Sequence, residues 1–116
     1  MQKRRPANLK AKSRQLWIER GYHVANCETN NGGFKRDLFG IADLFCFPRE
    51  GDGPTVFVQV LDATHRAVHL KLLEENLVAK DWLRRGDRIV LSIWKYKAVK
   101  GKRRSDFQLR EEEYTL

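Results

Sequence analysis

The chain has 116 residues, of which 33% are charged and 41% hydrophobic, with a net charge of +8 and a pI near 9.8. That composition excludes a disordered chain, and one domain of this length buries a real core without staples. No apolar run approaches the roughly 20 residues of a membrane helix, and MQKRRP lacks the apolar stretch of a secretory signal. A soluble, intracellular protein with no membrane partner is the expectation.

The first residues, to about 7, form a basic arm around Pro6. Asn8 is a helix N-cap candidate; Leu9, Leu16 and Trp17 fall on one helical face, and Gly21 ends the helix. YHVANCE, Tyr22 to Glu28, reads as a strand of mixed polarity, and TNNGGFK after it has turn composition. Strand two is predicted over Ile41–Phe47, PREGDGP reverses the chain, and strand three spans Thr55–Leu61. After Asp62 the apolar period lengthens, and Leu70, Leu73, Leu77, Val78 and Trp82 predict helix up to Arg85, stopped by Gly86, as one long helix or two shorter ones. Arg88–Tyr96 is strand four, AVKGKRRS a basic loop, and Asp106–Leu109 a short edge strand before the acidic end EEEYTL. The order α-β-β-β-α-β predicts a single α/β domain, a mixed sheet flanked by helices.

Two residues interrupt the apolar strands. Asp43 stands in IADLFCF and Gln59 in TVFVQVL, where a buried carboxylate or amide needs a partner. Strand alternation puts Asp43 on one face with Ile41, Phe45 and Phe47, and Gln59 with Thr55, Phe57 and Leu61. A hairpin would bring Asp43 and Gln59 into one pocket, where their oxygens suit Mg²⁺ or Mn²⁺. Asp43 also reads as a buried acid paired with Arg36 or a backbone amide, and Gln59 as an amide bonded within the sheet. Cys27 and Cys46, without ligand spacing, read as two buried free thiols. Trp17, Trp82 and Trp94 read as core.

Positive charge is clustered. Residues 1–20 carry Lys3, Arg4, Arg5, Lys10, Lys12, Arg14 and Arg20 against Glu19 alone, and residues 95–104 carry Lys95, Lys97, Lys100, Lys102, Arg103 and Arg104 with no acid. Such clusters favour a polyanion, most simply nucleic acid, contacted through its phosphates.

The segment order, with GIADLFCF and TVFVQVL in strands two and three, resembles the PD-(D/E)xK nuclease superfamily. Within it, these strands are similar to the GxxDL…(E/Q)VK region of virus-type repair nucleases and Holliday-junction resolvases. RDLFGIADLF, VQV and WLRRGDRIVLSIWK look closest to small phage proteins of that superfamily, and the likeness covers about residues 9–97. It implies a restriction-endonuclease-like fold and Mg²⁺- or Mn²⁺-dependent cleavage of DNA, branched or junction DNA included, by a cytoplasmic protein (the host's cytoplasm if viral) that works as a homodimer. Asp43 would bind the metal, and Gln59 would ligate it or orient water. The superfamily's third-strand carboxylate is Gln59 here, and its lysine position is Leu61. The resemblance therefore moves the lysine to the next helix, with Lys71 first and His65, Arg66 and His69 as others. Asp37, Glu28 and Asp62 would supply missing charge, and the first-helix glutamate has no counterpart among Lys10, Ala11, Lys12 and Ser13. Lys3, Arg4, Arg5, Lys10, Lys12, Arg14, Arg36, Lys100, Lys102, Arg103 and Arg104 would hold the DNA backbone. The same resemblance leaves open a fold that has lost catalysis and acts as a nucleic-acid-binding or regulatory module.

Overall fold

The computed structural model describes residues 8–27, 29–31, 34–36, 38–98 and 105–116, with 29–31, 34–36, 97–98 and 105–107 described by their backbone alone. Helix α1 (Leu9–Glu19) starts where predicted, because the Asn8 carboxamide oxygen accepts the Ala11 N–H at 3.0 Å. It ends where Gly21 takes φ 94°, a conformation that costs a residue without Cβ nothing. The strands are β1 (Tyr22–Asn26), β2 (Thr29–Asn31), β3 (Phe34–Arg36), β4 (Leu44–Pro48), β5 (Val56–Asp62), β6 (Arg88–Ala98) and β7 (Ser105–Tyr114). β2 and β3 pair antiparallel, so the segment read as a plain turn contains a small hairpin.

The remaining strands form one mixed sheet in the order β1-β4-β5-β6-β7, with β5 and β6 parallel and the other pairs antiparallel. A 3₁₀ turn (Ala63–His65) and helices α2 (Arg66–Glu74) and α3 (Leu77–Arg84) make the crossover from β5 to β6. The helical stretch is split because Asn76 caps α3, its side-chain oxygen accepting the Val78 N–H at 2.9 Å.

Each sheet face has its own apolar cluster. Trp17 of α1 packs on Leu44, Cys46, Val56, Val58 and Val90. On the other face Phe57, Leu61, Ile89, Leu91 and Ile93 meet Leu73 of α2 and Ala79 of α3. Val56 and Val58 on one face of β5 and Phe57 and Leu61 on the other are buried, which is why that strand is apolar on both sides apart from Gln59. The tryptophan expectation holds for Trp17 and Trp94, both buried; Trp82 is half-buried and stacks on Phe57 at a centroid distance of 3.5 Å.

The strand boundaries that differ most from the expectation are those of β4, β6 and β7. β4 begins at Leu44, not Ile41, because Phe39 (φ 55°) and Gly40 (φ 72°) turn the chain so that the Ile41 N–H bonds back to Leu38. β6 runs to Ala98. β7 replaces the short strand and acidic tail with ten residues paired along the whole of β6 up to Ile89. The cause is tertiary. Glu111, Glu112 and Glu113 are bonded to Arg20, Arg66 and Arg88 respectively, so the acids are held along the sheet rather than freely solvated. No helix among the described residues is long and apolar enough to cross a membrane.

Candidate functional site

Asp43 occupies the bend leading into β4, and its main chain still joins the sheet. Its N–H donates to the Val58 carbonyl at 2.9 Å, and its carbonyl accepts the Cys27 N–H at 2.7 Å. The register Leu44↔Val58 and Phe45↔Phe57 puts Asp43 beside Gln59 on the face that carries Phe57 and Leu61. The predicted convergence of Asp43 and Gln59 is therefore present. The Gln59 amide nitrogen donates to Asp43 Oδ2 at 3.1 Å, and the Val60 N–H donates to the same oxygen at 2.8 Å. Asp43 is 3% exposed and Gln59 5%.

Two consequences follow from this geometry. First, the carboxylate takes the place of a strand carbonyl: β4 pairing ends at Leu44, and the Val60 N–H finds the Asp43 side chain instead. Second, with its nitrogen turned to Asp43, the Gln59 carbonyl oxygen is buried and has no hydrogen-bond partner among the described residues. A buried amide oxygen without a donor is costly. The pair thus presents a carboxylate and an unsatisfied amide oxygen, the donor types that a hard divalent cation prefers. Among the described residues, no group of three or more His, Cys, Asp or Glu side chains comes together as a metal site.

The surroundings are apolar and aromatic. Phe45 meets Phe57 edge-on at 5.5 Å, and Trp82 stacks on Phe57 while meeting Phe39 edge-on at 5.8 Å. Leu61, at the position where the resemblance asks for lysine, is 4% exposed and belongs to the apolar cluster under α2 and α3.

The other predicted residues are more dispersed. Lys71 lies on α2, the helix over the Asp43 face, and is exposed there. Arg66 is engaged by Glu112 through two hydrogen bonds of 2.7 and 2.9 Å. Asp62 does not join the pair. It alternates with Leu61 to the opposite face, and its carboxylate accepts the Thr64 N–H and hydroxyl at 2.9 and 3.0 Å, capping the 3₁₀ turn. Those two bonds, the backbone one first, hold its pKa below the ordinary value. Lys10, Lys12 and Arg14 ride on α1, which packs against the face away from Asp43 and Gln59. Lys12 reaches over the Trp94 ring, 6.0 Å from its centroid. Glu28, Asp37, Lys3, Arg4, Arg5, Lys100, Lys102, Arg103 and Arg104 lie outside the described residues, as does the Arg36 side chain.

Neither cysteine belongs to the pair, and Cys46 packs in the apolar cluster on the other face of the sheet. Cys46 is buried, and desolvation pushes its thiol up to about 12. Cys27 is half-buried rather than buried as expected; desolvation, then the Asp43 charge, raises its thiol.

Sequence reasoning missed Ser13. It is 1% exposed on α1, and its hydroxyl accepts the Trp94 indole N–H at 3.0 Å, tying the helix to β6. A serine in a helix gave no signal, since only the partner from β6 explains its burial. Comparison with known families, with curated proteins and with solved structures finds no match in any of the three.

Proposed function

We propose that this chain is a metal-dependent phosphodiester hydrolase of the PD-(D/E)xK type acting on DNA. One observation carries the reading: Asp43 and Gln59, 16 residues apart, meet side by side in a buried setting, and the Gln59 carbonyl oxygen has no donor among the described residues. The superfamily places an acid and a Glu or Gln at this juncture of its second and third strands. The strand order supports it as well, with three antiparallel strands followed by a helical crossover to a parallel one.

Asp43 and Gln59 would hold Mg²⁺ or Mn²⁺ through their oxygens. A cation held there would supply polarisation of a phosphoryl oxygen and a lowered pKa for an attacking water. The chain's own part is positional. The Val60 N–H fixes the Asp43 carboxylate, the aromatic group of Phe45, Phe57 and Trp82 keeps its surroundings dry, and Lys71 on the overlying helix offers a cation to the phosphate. Branched DNA as substrate, and a homodimer as the working form, belong to the same proposal.

A second reading has its own support. Leu61 is packed where a lysine would act, and Asp43 and Gln59 satisfy each other in part, as a retained structural pair would. On that reading the fold binds nucleic acid without turnover. Linear, single-stranded and four-way-junction DNA, incubated with Mn²⁺ or Mg²⁺, separates the two. Cleavage that disappears in Asp43→Asn supports the hydrolase. Salt-dependent binding with every substrate left intact replaces it with the binding module.

A further inference from the structure

On the face that carries Asp43 and Gln59, beyond the carboxyl end of β5, a cleft of about 370 Å³ opens between the start of α2 and the β6–β7 pair. Its floor includes Ile93 and Ala63, and its walls carry Arg66, Lys95, Gln108 and Arg110. Lys95 belongs to the basic cluster of residues 95–104, but Arg66 and Arg110 were not chosen for nucleic-acid contact from the sequence, and only the fold unites them with it. The register explains the assembly. Ile93 pairs with Arg110 and Lys95 with Gln108 across β6 and β7, so all four alternate onto the same face.

The charges are arranged unequally. Glu112 holds Arg66 through two hydrogen bonds and lies 3.2 Å from Arg110, which fixes both guanidinium groups around one carboxylate. Lys95 is exposed and makes no ion pair among the described residues. Three cations therefore face one acid, in a concave site whose arginines are already oriented. A guanidinium braced by a carboxylate keeps its outer N–H groups for an anion, and losing little side-chain freedom favours binding.

We propose that this cleft binds one backbone phosphate of a DNA strand, with Arg110 and Lys95 as its contacts and Arg66 as the braced cation beside them. The identity of the polymer rests on the nucleic-acid reading above. The placement is this fold's own. Gln59 lies three residues before the end of β5 at Asp62, about 10 Å at the usual strand rise, and Ala63 follows directly. A strand anchored at the cleft would run over α2's edge toward Asp43 with a few nucleotides between.

The test is the salt dependence of binding by the full chain to a fluorescent single-stranded oligodeoxynucleotide. Arg110→Gln and Lys95→Gln are suitable variants, since neither removes the bidentate Arg66–Glu112 pair. Each lost phosphate contact should flatten the log–log slope by about 0.7 and weaken binding several-fold at low salt. Arg84→Gln is the control. Arg84 ends α3 just before β6 begins, about 23 Å along that strand from Lys95, and its loss should leave the slope unchanged. If the chain binds DNA and both cleft variants keep the parent slope, the cleft proposal fails while the nucleic-acid reading stands. If the parent chain does not bind the oligonucleotide at low salt, both fail. A parallel titration with inorganic phosphate, read by amide shifts of residues 66, 95 and 110, identifies the source. Shifts with phosphate but no oligonucleotide binding would make this a small-anion site and overturn the strand assignment.

Discussion

Gln59→Glu places a second carboxylate beside Asp43, and the structure sets what it costs. In the present pair an amide N–H donates to Asp43 Oδ2 at 3.1 Å, in surroundings that leave Asp43 3% and Gln59 5% exposed. The substitution removes a hydrogen bond to a charged acceptor, worth about 1.5–3 kcal/mol. It adds a second carboxylate, and two like charges at that range repel by about 5 kcal/mol at an effective dielectric of 20. Sharing a proton limits the penalty, so the net loss at pH 7.5 is about 3–5 kcal/mol, a fall in Tm of roughly 10–20 °C. The sign with pH follows from the raised pKa of such a pair. Its stability is present below the unfolded carboxylate value and is lost as pH rises through the folded one, so the deficit shrinks toward pH 4. Mn²⁺ at a hundredfold excess over its Kd would return about 2.7 kcal/mol. Thermal unfolding in Mn²⁺ and in EDTA, at several pH values, measures both effects. A Tm that is the same in Mn²⁺ and EDTA for this variant would refute the reasoning, because two buried carboxylates in contact should require a cation.

Three further outcomes are expected. Glu112 and Glu113 have pKa values held below the ordinary 4.5 by hydrogen bonds from Arg66 and Arg88, so their contribution is present above that value and is lost as pH falls below it. Hydrogen exchange of β7 amides should accelerate below pH 4.5 before that of β5, and uniform protection across the sheet would contradict the role of these acids. Ser13→Ala leaves the buried Trp94 indole N–H without its acceptor and should cost about 1–2 kcal/mol in urea unfolding; no change would mean that the bond does not tie α1 down. With its thiol pushed up to about 12, Cys46 should react with a disulfide reagent at pH 8 only on unfolding, and prompt reaction in the native protein would show that β4 opens readily.

The parts of this fold that were legible in the sequence are those whose cause is local. Asn8, Gly21 and Gly86 mark helix ends by capping and by positive φ, and the apolar runs around Asp43 and Gln59 mark buried strands. Their meeting could be foreseen because strand alternation needs only a hairpin. β7 was largely hidden. EEEYTL has the composition of a solvated tail, and it becomes a strand because Arg20, Arg66 and Arg88, 25 to 91 residues away in sequence, meet its acids. The same distance concealed the basic cleft, since Arg66, Lys95 and Arg110 share no local pattern. Asp62 misled for the opposite reason. It lies near the strand end as expected, but one step of alternation turns it to the other face, where Thr64 uses its carboxylate.

The central claim is that Asp43 and Gln59 form a divalent-cation site rather than a closed structural bond. Mn²⁺ binding to the full chain, followed by the loss of the free-ion electron paramagnetic resonance signal, tests it most directly. Saturable binding that disappears in Asp43→Asn, with far-UV circular dichroism unchanged, and that tightens in Gln59→Glu is the expected result. Undiminished binding in Asp43→Asn, or none in the parent chain, would contradict it.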